Sequence, residues 1–242
     1  LTPPPQNIAA RLTLAILTSL LLIPAPLNAQ QPPPPPRTVI LLDPAHGGPE
    51  TGATLTNHLL EKDFTLAFAV RLRALLGTGG ITVISTRDSD PAVAFLTDQR
   101  AEIANHAHPA ACLILHATAS GNGIHIVTSD LTPSDDLESP RAIIPWETAQ
   151  TASLRQSLLL ANELGAALIR AKLPVILTRA SLRPLDNLTC PAVAIEIAPL
   201  ATSDSSSTPV TDAAYQQRIG QAISQAIVSW RTHNAPPAGA AR

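Results

Sequence analysis

The sequence predicts a single α/β domain built on a mostly parallel sheet of about six strands, with helices on both faces. Three observations predict it. Short apolar runs alternate with longer segments of helical periodicity, the pattern of strands joined by crossover helices. Several of those runs are continuously apolar, as expected of strands covered on both sides. Apolar residues make up 45% of the 242 and charged ones 14%, enough for a sizeable core and too few charges for wholesale disorder.

Val39-Ile-Leu-Leu42 reads as the first buried strand. Phe64, Phe68, Leu72 and Leu75 recur at helical spacing, and Gly77-Thr-Gly-Gly80 ends that helix. Ile81-Thr-Val-Ile84 is the next strand, residues 96–107 a shorter helix, and residues 111–115 a third strand. Residues 123–128 form a fourth. The stretch from Asp130 to Glu147 then loses periodicity and gathers prolines and acids, so it reads as a surface insertion, either a solvated loop or a rim or lid for substrate. Leu154, Leu158, Ala161, Leu164 and Leu168 mark a long amphipathic helix, followed by strands at Pro174-Val-Ile-Leu177 and Ala192-Val-Ala-Ile195. Ile219, Ile223, Ile227 and Trp230 form the apolar stripe of a closing helix, with Thr211 or Asp212 as its N-cap.

Ahead of the domain, residues 1–29 read as a signal peptide. Arg11 gives a positive start, Leu12 to Ile23 is apolar apart from Thr13, Thr18 and Ser19, and Leu27-Asn28-Ala29 resembles a small-residue cleavage site. An apolar run of about twelve is short of the about 20 that a membrane span needs, so no stable membrane insertion is expected after cleavage. The alternative is an uncleaved anchor. Residues 30–37, with Pro32 to Pro36 consecutive, read as an extended polyproline spacer. The domain is expected over 38–233 and a disordered tail over 234–242. The chain is therefore expected to be exported, to the periplasm or the extracellular space.

The charge balance of −2 leaves no basic excess to neutralise a phosphate backbone, which argues against nucleic-acid binding. Aromatic residues at 2% provide no stacking platform for single strands. Two cysteines cannot make a four-thiolate zinc site.

Four side chains with metal or acid/base chemistry fall at comparable places. His46 follows the first strand in Asp43-Pro-Ala-His-Gly-Gly48, His116 ends the third, Glu196 ends the run from Ala192 to Ile195, and Glu61 heads the first helix. In open parallel sheets ligands bind beyond the carboxyl ends of the strands, so connectivity brings these groups to one rim. Two imidazoles and a carboxylate suit Zn²⁺, which leaves a fourth position for water. Each residue also has a plainer reading. A strand-end histidine is often a hydrogen-bonded structural group, and Glu61 could serve only the helix dipole. Glu196 lies inside an apolar run, where a buried charge must be paired, neutralised or metal-bound. His106 and His108 read as solvated residues at the opposite rim, and His58 and His233 carry no signal.

These residues give the chain its resemblance to the zinc-dependent N-acetylmuramoyl-L-alanine amidases, bacterial enzymes that trim peptidoglycan. That family opens with a strand, Asp-Pro-Gly-His-Gly-Gly, and a Glu-Lys pair at a helix start, matched here by Asp43 to Gly48 and Glu61-Lys62. Its Thr-Arg and its Leu-x-x-x-Arg helix ending in Ala-Asn are matched by Thr86-Arg87, Leu96 with Arg100, and Ala104-Asn105. Its Ser-Ile-His-x-Asn-Ala strand end resembles Leu113-Ile-Leu-His116-Ala-Thr118-Ala, and its Pro-Ala-Val-x-x-Glu strand resembles Pro191-Ala-Val-Ala-Ile-Glu196. Four motifs in order over roughly residues 38 to 231 make the resemblance specific.

The resemblance implies that His46, Glu61 and His116 hold zinc as cofactor and that Glu196 is the catalytic acid/base. It implies peptidoglycan as substrate, cut between N-acetylmuramic acid and L-alanine; no motif identifies a regulatory protein. Ala45 stands where the family has glycine, Thr118 where it has asparagine, Ala198-Pro199 where it has Gly-Phe, Thr202-Ser203 in place of a later Ser-Asn, and His125 where it often has glutamate. The departures keep two alternatives open: a non-catalytic peptidoglycan-binding module on the same fold, or an exported zinc hydrolase of another amide. Arg183 is placed to meet a substrate carboxylate or to pair with Asp186. Cys112 and Cys190 lie near the amino ends of their strands, and a bridge between them depends on strand order.

Overall fold

The computed structural model describes Thr2 and residues 38–133, 145–201 and 206–234. The expected signal peptide and spacer, nearly all of the expected tail, and residues 134–144 of the acidic insertion lie outside the described residues. The chain divides into Leu1–Pro36 and Arg37–Arg242, and the fold is that of the second unit. Among the described residues no helix is long and apolar enough to cross a membrane.

Six strands form one sheet in the spatial order β2-β1-β3-β6-β4-β5: β1 (Val39–Pro44), β2 (Thr82–Ser85), β3 (Ala111–Ala117), β4 (Ile124–Thr128), β5 (Val175–Arg179) and β6 (Ala192–Ile197). β1, β2, β3 and β6 run parallel, whereas β4 is antiparallel to β6 and β5 follows β4. A two-residue pairing of β7 (Leu200–Ala201) with β8 (Ser207–Thr208) has no counterpart in the sequence expectations; strands that short leave no periodic signal.

Alternation along the strands splits the core in two. Ile40, Leu42, Leu113, Leu115, Val193 and Ile195 face the larger cluster, closed by the helices α1 (Glu61–Thr78), α3 (Leu154–Arg170) and α4 (Ala213–Asn234). Leu41, Cys112, Ile114, Ala192 and Ala194 face a smaller one, closed by Ala101 and Ala104 of α2 (Thr97–Ala107) and by Leu185 and Leu188. The α4 stripe Ile219, Ile223, Ile227 and Trp230 is buried as expected. On α3, Leu160 is fully buried while Leu158 is half-buried.

Helix ends follow their local chemistry. At the end of α1, Gly80 at φ +72° lets the Ile81 N–H reach the Leu76 carbonyl (3.2 Å) and its own N–H the Gly77 carbonyl (3.0 Å), a Schellman closure that needs the left-handed conformation. At α4 it is Asp212, of the two expected caps, whose Oδ1 accepts from the Tyr215 N–H at 2.7 Å.

Strand order also settles the cysteines. β3 lies beside β6, so Cys112 and Cys190 sit with Cα atoms 6.2 Å apart and form a disulfide. The bridge ties the start of β3 to the segment entering β6, across 78 residues of sequence.

Candidate metal centre and catalytic rim

β3 and β6 end at one rim, where the small-core face of the sheet is open enough to leave His116, His125 and Glu196 only partly buried. Register places three polar side chains in a row on that open face. His116 pairs with Glu196 across β3 and β6, and Glu196 pairs with His125 across β6 and β4. His125 reaches this rim from the start of its strand because β4 runs the other way.

His46 and Glu61 complete the group. The Glu61 carboxylate is buried and lies between the two imidazoles, with Oε1 2.9 Å from His116 Nδ1 and Oε2 3.2 Å from His46 Nε2. The backbone N–H groups of Ala117 (3.0 Å) and Ala53 (2.8 Å) donate to the same two oxygens. Burial alone would raise the Glu61 carboxyl. The hydrogen bonds from His116, His46 and the two amides outweigh it and hold the group well below the usual carboxylate range. His46 is shifted upward, chiefly by its contact with Glu61 and against the opposing effect of burial. Glu61 therefore does more than complement the dipole of α1.

His46, Glu61 and His116 each offer a ligand atom within 4.8 Å of the others. The imidazole rings stand nearly perpendicular, at 81°. Ligands about 2.0–2.2 Å from a shared tetrahedral ion stand about 3–4 Å from one another, so donors within 4.8 Å need only a small inward movement to share a divalent cation. The other His46 nitrogen, Nδ1, lies 3.1 Å from Glu50 Oε1, the kind of carboxylate contact that fixes the tautomer and orientation of a metal-binding imidazole.

Two buried arginines hold the loop that carries His46. Arg87 donates to the carbonyls of Pro44 (2.9 Å) and Ala45 (3.1 Å), and Arg100 to those of Pro44 (2.9 Å) and His46. Arg100 Nη1 also donates to Asp43 Oδ1 at 2.7 Å. This clamp sustains His46 at φ +63°, a left-handed conformation that a residue with a Cβ adopts only under constraint. Ala45 is not in that region, so its methyl in place of the family's glycine carries no backbone penalty.

Gly52 is pressed against the site. At φ +67° a Cβ there would stand 2.6 Å from both Glu61 Oε2 and His46 Cδ2, and 2.8 Å from Glu61 Cβ. Glu61 cannot swing aside, because four donors hold it. Gly52→Ala is expected to weaken binding of a divalent cation by His46, Glu61 and His116 about 10–100-fold, as read by chelator competition; unchanged affinity would show that the loop relaxes around the methyl.

Glu196 departs from its sequence reading. Its side chain is 39% exposed and is not buried within the apolar run. Alternation turns it away from Ile195 and Ile197, toward the open face at the strand end. Its titratable neighbour among the described residues is His125, whose Nδ1 lies 3.5 Å from Oε2. The changed segment after it is firmly held: Ala198 is fully buried, and its carbonyl accepts from the Tyr215 hydroxyl at 2.8 Å. Arg183 does not pair with Asp186. It stands 3.9 Å from Asp98, while Asp186 accepts from the hydroxyls of Ser129 and Ser181. His106 and His108 are exposed, before β3 at the far rim.

Sequence reading missed Glu50 and Gly52, and it assigned no role to Arg87, Arg100, Asp43 or His125. The two arginines were visible as motif positions. Nothing local marks Gly52, whose importance comes from a helix that starts nine residues later.

Comparison with known proteins shows the family. A family model described as N-acetylmuramoyl-L-alanine amidase matches residues 40–229. The germination-specific N-acetylmuramoyl-L-alanine amidase of Bacillus subtilis is 54% identical over 52 residues, 22% of either chain. The first curated relatives are thus matched over about a fifth of their own length (22% and 18%). AmiA of Escherichia coli, an N-acetylmuramoyl-L-alanine amidase, is 26% identical over 226 residues, covering 79% of this chain and 75% of AmiA. Among solved structures, the N-acetylmuramyl-L-alanine amidase Ami1 of Mycobacterium smegmatis shares the fold with a TM-score of 0.64 at 20% identity, over 81% of this chain and 97% of that one.

Proposed function

The chain belongs to the N-acetylmuramoyl-L-alanine amidase family, and from that premise we propose that it cleaves peptidoglycan between the lactyl group of N-acetylmuramic acid and L-alanine. In this reading His46, Glu61 and His116 hold a zinc ion and Glu196 is the acid/base. The observation that carries it is the convergence of two imidazoles and one carboxylate within 4.8 Å, with Glu196 beside His116 on the neighbouring strand. Held by these three side chains, a zinc ion would supply a lowered pKa for water, toward about 7, and polarisation of the amide carbonyl.

The work of the chain's own residues follows from their placement. Glu196 is half-exposed at the rim, where a carboxylate can meet both solvent and a bound peptide. It takes a proton from the attacking water as the C–O bond forms, and delivers one to the nitrogen as the C–N bond breaks. The products are a lactyl carboxylate and a stem peptide with a free L-alanine amino terminus. No covalent enzyme intermediate is needed, and Cys112, the cysteine within β3, is locked in its disulfide. Because peptidoglycan lies outside the cytoplasm, the activity calls for export, which is the role we assign to residues 1–29, with residues 38–233 as the catalytic part.

Digestion of purified sacculi by the zinc-loaded full chain tests the reading. Release of peptides beginning with L-alanine is expected, falling by about 10²–10⁴ in Glu196→Gln with zinc content unchanged. Binding to sacculi without release would favour a wall-binding module, and undiminished release by Glu196→Gln would remove that residue from its role.

A further inference from the structure

We infer that His125 is a positioning residue for Glu196, holding one carboxylate oxygen so that the other is left free for proton transfer. The inference rests on the assignment of Glu196 as the base. It begins from register: the reversal of β4 sets His125 directly opposite Glu196 on the open face, so the two side chains emerge side by side. The His125 Nδ1 lies 3.5 Å from Glu196 Oε2. That is a few tenths of an ångström longer than a made hydrogen bond, and contacts between catalytic groups are commonly this loose until substrate draws them together.

The chemistry fixes which nitrogen carries the proton. A carboxylate only accepts, so a neutral imidazole that approaches it through Nδ1 is the Nδ1–H tautomer. Nε2 is then an acceptor. It is fully buried and has no hydrogen-bond partner among the described residues, and this ring edge lies near Gly121, where a methyl would come 3.7 Å from Cε1 and 4.0 Å from Nε2. A residue present only to fill this space would be apolar, since a buried acceptor without a donor is costly. The cost becomes intelligible if the other ring nitrogen has a use. Nδ1 is on the side of the ring that meets Glu196, its register partner.

Two variants of nearly equal size separate donation from packing. Asparagine keeps an N–H near the position of Nδ1, whereas leucine has the same branching and no donor. With a soluble N-acetylmuramoyl-L-alanyl peptide and zinc-loaded full chain, His125→Leu is expected to lower kcat by about 10–100-fold with KM within about twofold, while His125→Asn keeps kcat within a few-fold of the parent. Both should melt within a few degrees of the parent protein. Equal kcat for the leucine variant and the parent would overturn the inference, as would an asparagine variant no better than leucine, or a loss that appears in KM alone. Glu196→Gln in the same assay separates the two claims. If it remains active, or the parent releases nothing, the assignment of the base fails and this inference falls with it. If it is inactive while His125→Leu is not, only the role of His125 is lost.

Discussion

Glu61→Gln is expected to leave a folded protein that no longer retains zinc and whose peptide release has fallen by more than about 10⁴-fold, a larger loss than removal of the base alone. The reason lies in how completely the carboxylate is used. Its oxygens face His116 and His46, at 2.9 and 3.2 Å, and the N–H groups of Ala117 and Ala53, at 3.0 and 2.8 Å. Glutamine has nearly the same shape but offers one acceptor and one donor. Whichever way its amide turns, the NH₂ group confronts a backbone N–H that cannot reverse its polarity. The resulting unpaired donors should cost about 1–3 kcal/mol, enough to lower the melting temperature while far-UV dichroism stays native. The anionic ligand is lost as well, leaving two neutral imidazoles for a dication. Zinc measured after dialysis against a weak chelator checks the prediction. Stoichiometric zinc in Glu61→Gln would show that the carboxylate is not a ligand and that its role is confined to holding the two histidines.

The sequence made the six strands of the main sheet legible because most of them are short runs rich in apolar residues, bounded by turn signals. It made the gathering of His46, Glu61 and His116 legible because two of them follow strands that run the same way and the third heads the helix after the first strand. Strand direction is different. An apolar run such as Ile124–Thr128 reads the same in either sense, so nothing local revealed that β4 is reversed or that His125 would therefore face Glu196. The disulfide stayed open for a related reason, since it depends on β3 and β6 being neighbours, a fact set by packing of the whole sheet. The burial expected for Glu196 failed at the strand's end, where its apolar neighbours in sequence, Ile195 and Ile197, point to the opposite face. The arginines illustrate a third limit. Arg87 and Arg100 were recognisable in sequence, but their task, holding three consecutive carbonyls of the His46 loop, exists only once residues more than forty positions apart have met.

That clamp leads to the largest expected effect on stability. Asp43→Ala should destabilise the protein by about 3–5 kcal/mol, which for a domain of this size is a fall of very roughly 6–20 °C in melting temperature. Asp43 and Arg100 are nearly fully buried, at 2% and 3% exposed, and joined at 2.7 Å; the Thr86 hydroxyl donates to the same carboxylate oxygen. Arg87 lies buried alongside, its pKa drawn down first by desolvation and then by the charge of Arg100, with Asp43 among the acids that oppose the shift. Removing Asp43 leaves two guanidinium groups in a poorly solvated pocket without the buried carboxylate that is bonded to Arg100 and opposes the positive charge beside Arg87. The damage should not stay local. Arg100 is also what holds the carbonyls of Pro44 and His46, and His46 keeps its left-handed backbone only while that grip persists, so zinc affinity should fall together with stability. Asp43→Asn, which preserves shape and an acceptor oxygen but not the charge, is expected to lie between parent and alanine in both measurements. Thermal or urea unfolding of the three proteins, paired with zinc titration, checks the coupling. A loss below about 1 kcal/mol in Asp43→Ala, or a full loss of stability with zinc affinity intact, would show that the arginines hold the loop without help from the carboxylate.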